Sequence, residues 1–188
     1  LHGQRMPRAA RLPYFSPTTR CAIGAPYAIF SPMKLILLRH AKSSWTDPLQ
    51  SDHERPLNAR GVTSAAAIGH WLRAKGHLPT QILCSSAART RETCDLIRFE
   101  SVPTEFSDAL YLASEGLLSR IIEQAHDIEC LMLIAHNPGL GALALQLAGP
   151  TFQDDALYAF PTGACLVLED GAVTDFTVPR RLLGASEL

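Results

Sequence analysis

The stretch Met33-Lys-Leu-Ile-Leu-Leu-Arg-His-Ala-Lys42 decides the fold. Its four successive apolar residues, Leu35 to Leu38, predict a short strand buried on both faces. A strand that deep cannot carry charged side chains in its middle, because an unpaired charge in an apolar interior is too costly. Arg39 and His40 therefore mark its carboxyl end. In open α/β sheets ligands bind at that edge, and a guanidinium beside an imidazole suits an anion such as phosphate.

Two further apolar runs have the same design. Residues 81–84 read as a strand that ends in Ser85-Ser86-Ala87-Ala88-Arg89, and residues 131–135 as a buried strand that ends in His136. Between these strands lie helices. Asn58 is placed to cap one that runs to about Lys75, with Gly76 as its stop and Val62, Ala65, Ala66, Gly69 and Leu72 along its packed face. Trp71 belongs to its core or rim, and His70 and His77 to solvent. The hydroxyls of Ser85 and Ser86 suit the cap of a second helix. Arg89 and Arg91 point to different sides of it, one toward a site and the other toward a solvated ion pair. Residues 102–106 predict a weak edge strand, and Ser114 caps a helix faced by Leu117, Leu118, Ile121, Ile122 and Ala125. Asn137-Pro138-Gly139 opens another helix, since proline is favoured in a first turn. Residues 164–168 and 173–178, joined through Asp170-Gly171, predict a closing hairpin.

Strands alternating with helices give an α/β layered domain with a mostly parallel sheet. The ends at Arg39-His40, Ser85 to Arg89 and His136 then fall on one edge of it. Residues 1–32 stand apart: five prolines, four arginines, no acidic residue and no periodicity predict an irregular or disordered extension. A start at Met33, or a transit peptide in the Arg-rich segment, would each account for that composition. Residues 33–188 form the domain.

Composition excludes several function classes. The 188 residues carry a net charge of −1, and without the first 32 they hold 13 basic and 18 acidic side chains, which is no nucleic-acid footprint. No apolar run reaches the roughly 18 residues of a membrane span. Five cysteines without a C-x-x-C pair suit reduced thiols in a cytosol, not a disulfide framework or a zinc site. Four residues separate Cys84 from Arg89, one fewer than the five that a cysteine phosphatase needs between nucleophile and arginine; Cys84 also sits inside a strand pattern, so it is set aside as a nucleophile.

Two arginines and two histidines at strand ends form a cationic pocket suited to phosphoryl transfer, which needs positioning and donors aimed at the equatorial oxygens. A histidine can itself be the nucleophile, and its ordinary pKa near 6.5 leaves a neutral imidazole available at neutral pH. His40, flanked by Arg39, is the better nucleophile, and His136 the better oxyanion donor. The scheme needs no metal or other cofactor, and Arg39 would repel a cation from His40 and His136.

Leu38-Arg39-His40-Ala41, Ser85-x-x-x-Arg89-x-x-x-Thr93 and Ile134-Ala135-His136-Asn137-Pro138 resemble the histidine phosphatase superfamily. Ser51-Asp52-His53-Glu54-Arg55-Pro56-Leu57, Phe160-Pro161-Thr162-Gly163 and the segment from Pro179 to Leu182 resemble its small SixA-type phosphohistidine phosphatase branch. The resemblance covers Met33 to about Leu183. It implies a phosphoglycerate mutase-like three-layer αβα sandwich, with His40 attacking phosphorus and becoming phosphohistidine. Arg39, Arg89 and His136 would bind the phosphoryl oxygens, with Arg55 and Asn137 helping to bind phosphate. Ser86 stands where the family carries Pro, Ala41 where many members carry Gly, and Lys42 where many carry Glu.

The proton donor has two candidates, and the resemblance also allows none, since the small branch often lacks a clear acid. Asp108 stands three residues before Tyr111, as a Glu does in the mutase-like branch, and Asp52 lies in the Ser51 to Leu57 stretch. The implied partner is a phosphorylated protein, such as a histidine phosphotransfer domain, or a small phosphoester; no nucleic acid or membrane is implied, and a cytoplasmic monomer is expected. A phosphate-binding module without catalysis would use the same pocket.

Overall fold

The computed structural model describes residues 34–184. The extension expected over residues 1–32 lies outside the described residues. The strands are β1 (Lys34–Arg39), β2 (Gln81–Ser85), β3 (Thr104–Ser107), β4 (Cys130–Ala135), β5 (Cys165–Glu169) and β6 (Ala172–Thr177). They form one sheet in the order β3-β2-β4-β1-β5-β6. β3, β2, β4 and β1 are parallel, and β5 and β6 close the sheet as an antiparallel hairpin.

The alternation of each buried strand feeds two cores. Leu35, Leu37, Leu131, Leu133, Leu166 and Leu168 face α3 (Glu115–Gln124) and α4 (Gly139–Ala148). Ile36, Leu38, Ile82, Cys84, Met132, Ile134 and Val167 face α1 (Ala59–Ala74) and the end of α2 (Ala88–Leu96). Helices on both faces make the three-layer sandwich. The four described cysteines, Cys84, Cys94, Cys130 and Cys165, are buried free thiols.

Several local expectations are met. Asn58 Oδ1 accepts the Gly61 N–H at 2.8 Å, so α1 starts where its cap predicts. Lys75 closes it, and Gly76 follows at φ +72°. Ser114 caps α3.

Others are corrected. The packed face of α1 is Gly61, Ser64, Ala65, Ile68, Gly69 and Leu72; Val62 and Ala66 are exposed, because the stripe is rotated toward the two glycines. His70 is exposed, but His77 is buried: its Nε2 lies 3.3 Å from Asp175 Oδ2 and its ring packs against Trp71. A carboxylate on β6, invisible in the local sequence, gives the imidazole its reason to be inside. β3 begins at Thr104, two residues later than the apolar pattern implies. α5 (Asp155–Ala159), capped by Asp154, is too short for a period to reveal it.

The glycines of α1 fix how the layers close. A Cβ at Gly61 would lie 2.1 Å from the Lys42 carbonyl oxygen, and one at Gly69 would lie 2.4 Å from that of Ile97. Both contacts are with backbone and cannot be relieved by a rotamer change. Gly61→Ala and Gly69→Ala are each expected to destabilise the fold by about 1–3 kcal/mol through overpacking. Urea unfolding checks this; an unchanged midpoint for both variants would contradict the close packing.

Candidate active site

The parallel register builds the site. Arg39 stands opposite Ala135 in the β1–β4 pair, so His40 and His136 leave adjacent strands at the same level. Their ring centroids lie 5.0 Å apart. Cys84 stands opposite Ile134, which brings the turn after β2 to the same edge. The three strand ends read from the sequence thus meet, and His40, Arg89 and His136 are all buried.

The tautomer of His40 follows from its partner. Nδ1 lies 2.7 Å from the Ala41 carbonyl oxygen. A carbonyl only accepts, so Nδ1 carries the hydrogen and Nε2 of the neutral ring carries a free lone pair. Burial is the main cause that pushes the His40 pKa down to about 4, with Arg89 and Arg39 adding to it against the pull of the Ala41 carbonyl. Burial, then His40 and Arg89, push His136 down to about 3. Both rings are neutral at physiological pH.

Arg39 donates from Nη1 to the Phe160 carbonyl at 2.8 Å. Asn137 Nδ2 donates to the same oxygen at 3.2 Å and to that of Ala159 at 3.4 Å. Its donors brace the Arg39 wall, so the structure does not bring Asn137 forward as a phosphate ligand. Arg39 Nε, Arg55 Nε and His136 Nδ1 are buried without a hydrogen-bond partner in the protein. Such groups are costly to leave unpaired, and the oxygens of a bound oxyanion suit them.

Arg89 enters from the first turn of α2. Thr93 Oγ1 donates to the Arg89 carbonyl at 2.7 Å and accepts the Ala41 N–H at 3.0 Å, tying the arginine's helix to the residue after His40. This is the physical content of the Ser85 to Thr93 spacing. The serine hydroxyls do not cap α2, whose N-cap is Ala87 without a side-chain bond. Ser85 Oγ instead lies 2.8 Å from His136 Nε2, and Ser86 Oγ 2.9 Å from His53 Nε2. Arg91 forms no solvated ion pair; it donates to the Ser86 carbonyl at 2.9 Å and lies over Phe106.

Asp52 gathers the cations. Its Oδ2 accepts from Arg89 Nη2 at 2.9 Å and from the Tyr111 hydroxyl at 2.6 Å, and its Oδ1 pairs with Arg55 Nη2 at 2.5 Å. Arg89 Nη1 also donates to the Asp52 carbonyl. The Tyr111 hydrogen bond, with Arg89 and Arg55 behind it, holds the Asp52 carboxyl below its ordinary range. Asp108 is exposed on the 3-10 turn Asp108–Leu110, where its carbonyl accepts the Tyr111 N–H at 3.0 Å, but its carboxylate makes no hydrogen bond or ion pair with these residues. Tyr111, three residues on, reaches the cluster in its place.

Sequence reasoning gave no role to Tyr111, His53 or Trp45. Trp45 is 71% exposed and its ring carries the Arg55 guanidinium at 3.3 Å. A tryptophan in a polar loop was the available signal. Cys84 is fully buried and its thiol is pushed up by burial, in keeping with its being set aside. Among the described residues no group of three or more His, Cys, Asp and Glu side chains is arranged to hold a metal ion. No helix there is long and apolar enough to cross a membrane.

Neutral imidazoles among fixed guanidiniums at the carboxyl edge of a doubly covered sheet define a phosphoryl-handling protein of the phosphoglycerate mutase-like fold. The chain belongs to the histidine phosphatase superfamily (branch 1), whose family model matches residues 35–148. It is 34% identical over 160 residues to an uncharacterised protein of Mycobacterium tuberculosis, covering 76% of this chain and all of that one. It is 37% identical over 133 residues to an uncharacterised chloroplastic protein of Arabidopsis thaliana, covering 64% of this chain and 61% of that protein. A crystal structure from Agrobacterium tumefaciens, provisionally described as phosphohistidine phosphatase SixA, superposes with a TM-score of 0.71 at 30% identity, over 79% of this chain and 100% of that one. The chain is thus SixA-like, and family and site together support phosphatase activity.

Both histidines tie stability to pH. The unfolded chain takes up protons below about pH 6.5, whereas folded His40 and His136 refuse them until about 4 and about 3. The stability of the neutral pair is therefore fully present above pH 6.5 and is lost as pH falls toward 4. The urea midpoint is expected to fall between pH 7 and pH 5, and to fall less in His136→Asn than in wild type. Equal falls in the two proteins would contradict the assignment.

Proposed function

We propose that the protein hydrolyses protein phosphohistidine through a phosphorylated His40. The observation that carries this reading is the bond from His40 Nδ1 to the Ala41 carbonyl, which leaves Nε2 unprotonated beside Arg39, Arg89 and His136. Nε2 attacks phosphorus, the Nε2–P bond forms, and the substrate's N–P bond breaks. The departing imidazole takes a proton. Water then attacks phosphohistidine-40, the P–N bond breaks, and inorganic phosphate and His40 are released. Arg39, Arg89 and His136 hold the equatorial oxygens, Arg55 steadies phosphate from the loop, and Asn137 positions Arg39.

Asp52 is the proton donor in this scheme. In the resting site it is an anion shared by Arg89, Arg55 and Tyr111. A phosphoryl dianion that engages the arginines removes part of what keeps the carboxyl ionised, so substrate binding itself raises the Asp52 pKa toward a useful value. Asp108 has no comparable coupling to the cations.

The SixA-like relative and the open rim, where Asp52 and Trp45 are accessible, support a substrate presented on another protein. Phosphate release from a phosphorylated histidine phosphotransfer domain, measured beside p-nitrophenyl phosphate, tests the reading. The phosphoprotein is expected to have the larger kcat/KM; the reverse would move the assignment to small phosphoesters, and no turnover of either would overturn it.

The two acids are separable in the same assay. A departing imidazole needs a proton and p-nitrophenolate does not. Asp52→Asn is expected to cost roughly 100-fold on phosphohistidine and much less on p-nitrophenyl phosphate, whereas Asp108→Asn leaves both rates within about twofold of wild type. A large loss confined to Asp108→Asn would reverse the assignment.

A further inference from the structure

Beside the phosphoryl site lies a second cationic feature that the chemistry above does not use. Of the thirteen lysines and arginines among the described residues, four have side chains that make neither an ion pair nor a hydrogen bond: Lys42, Arg60, Arg120 and Arg180. Three of these four line one cleft of about 480 Å3. Lys42 comes from the loop after β1, Arg60 from the first turn of α1 and Arg180 from the 3-10 turn Pro179–Arg181. Apart from Arg120, the cationic side chains elsewhere among the described residues have partners, as Lys34 has in Glu169 and Lys75 in Asp175.

The lining holds one carboxylate, Asp155, so an excess of positive charge remains. The neighbouring Asp154 is committed elsewhere: its Oδ1 accepts from Arg181 Nη2 at 2.8 Å and from the Ala156 N–H at 2.9 Å. Arg180 adds to Arg181 and the Ala156 N–H in holding that carboxyl low, without forming a close pair. Three unneutralised cations from three separate elements repel one another, and a local anion would relieve that repulsion.

The cleft adjoins the phosphoryl site through a shared wall. Pro161 and Thr162 line the cleft, while the Phe160 carbonyl accepts from Arg39 and the Gly163 N–H donates to the His40 carbonyl at 3.0 Å. Lys42 is two residues from His40. A substrate whose phosphoryl group sits at His40 therefore has its flank over these cations. Tyr158 of α5, whose neighbours Ala156 and Ala159 line the cleft, is 62% exposed, and Trp45 stands exposed on the loop that follows Lys42. Exposed Tyr and Trp side chains are typical anchors of a protein partner.

We infer that the cleft between Lys42, Arg60 and Arg180 is a docking site for an acidic segment of the phosphohistidine-bearing protein. This deepens the reading under Proposed function and rests on it. Carboxylates of the partner pair with the three cations, bring the phosphorylated imidazole to His40 and lower KM with little effect on kcat.

The test uses the full chain, its Arg60→Glu/Arg180→Glu variant, and two phosphohistidine peptides of one core sequence, flanked by Glu or by Gln. Wild type is expected to favour the Glu-flanked peptide about tenfold in kcat/KM, through KM, and to lose that preference at high salt. The variant is expected to lose the preference while p-nitrophenyl phosphate turnover is unchanged. No preference in wild type, or a preference that survives the charge reversal, overturns the docking site. A wild type that hydrolyses neither peptide contradicts the phosphohistidine reading itself, and the site is then read by binding. The unphosphorylated Glu-flanked peptide should bind His40→Ala protein by fluorescence anisotropy, and should not bind when Arg60→Glu/Arg180→Glu is added. Binding of inorganic tripolyphosphate but not of the peptide would assign the cleft to a small polyanion and overturn the inference.

Discussion

The site depends on how charge is crowded at one edge of the sheet. Parallel pairing of β1 with β4 brings His40 and His136 together, and the arginines of β1 and α2 close round them. Asp52 is the carboxylate that pairs with Arg55 and Arg89 there. In so cationic and so dry a place an imidazolium is unfavourable, and both rings give up their protons. Neutrality is what the proposed role of His40 as nucleophile requires. The Ala41 carbonyl then leaves Nε2 as the nitrogen with the free lone pair.

That crowding is held by backbone as much as by side chains. Thr93 ties the Ala41 N–H to the Arg89 carbonyl, Phe160 offers its carbonyl to both Arg39 and Asn137, and Gly163 donates to the His40 carbonyl. The close approach of Gly61 to Lys42 sets α1 against the same loop. The fold thus supports each charged group from an element other than its own.

Much of this was legible in the residue order. The apolar runs that stop abruptly at Arg39, Ser85 and His136 located both the strands and the edge, because burial forbids charge within such strands. Asn58 and Ser114 announced their helices by local capping chemistry. What stayed hidden depends on pairing across the chain. His77 is buried because Asp175 is 98 residues away in sequence and close in space. The serines of the β2 turn serve His136 and His53, not α2, which no local rule reveals. The proposal of Asp52 over Asp108 rests on where Tyr111 reaches, and spacing alone could not show that its hydroxyl meets Asp52.

The central claim is that His40 Nε2 takes the phosphoryl group, and the most direct measurement is to trap it there. Protein mixed with a phosphorylated substrate, quenched in alkali and digested, should yield an acid-labile phosphate on the peptide that contains His40, located at Nε2, and none in His40→Ala. Phosphate found on another residue, or turnover that persists in His40→Ala, would contradict the account.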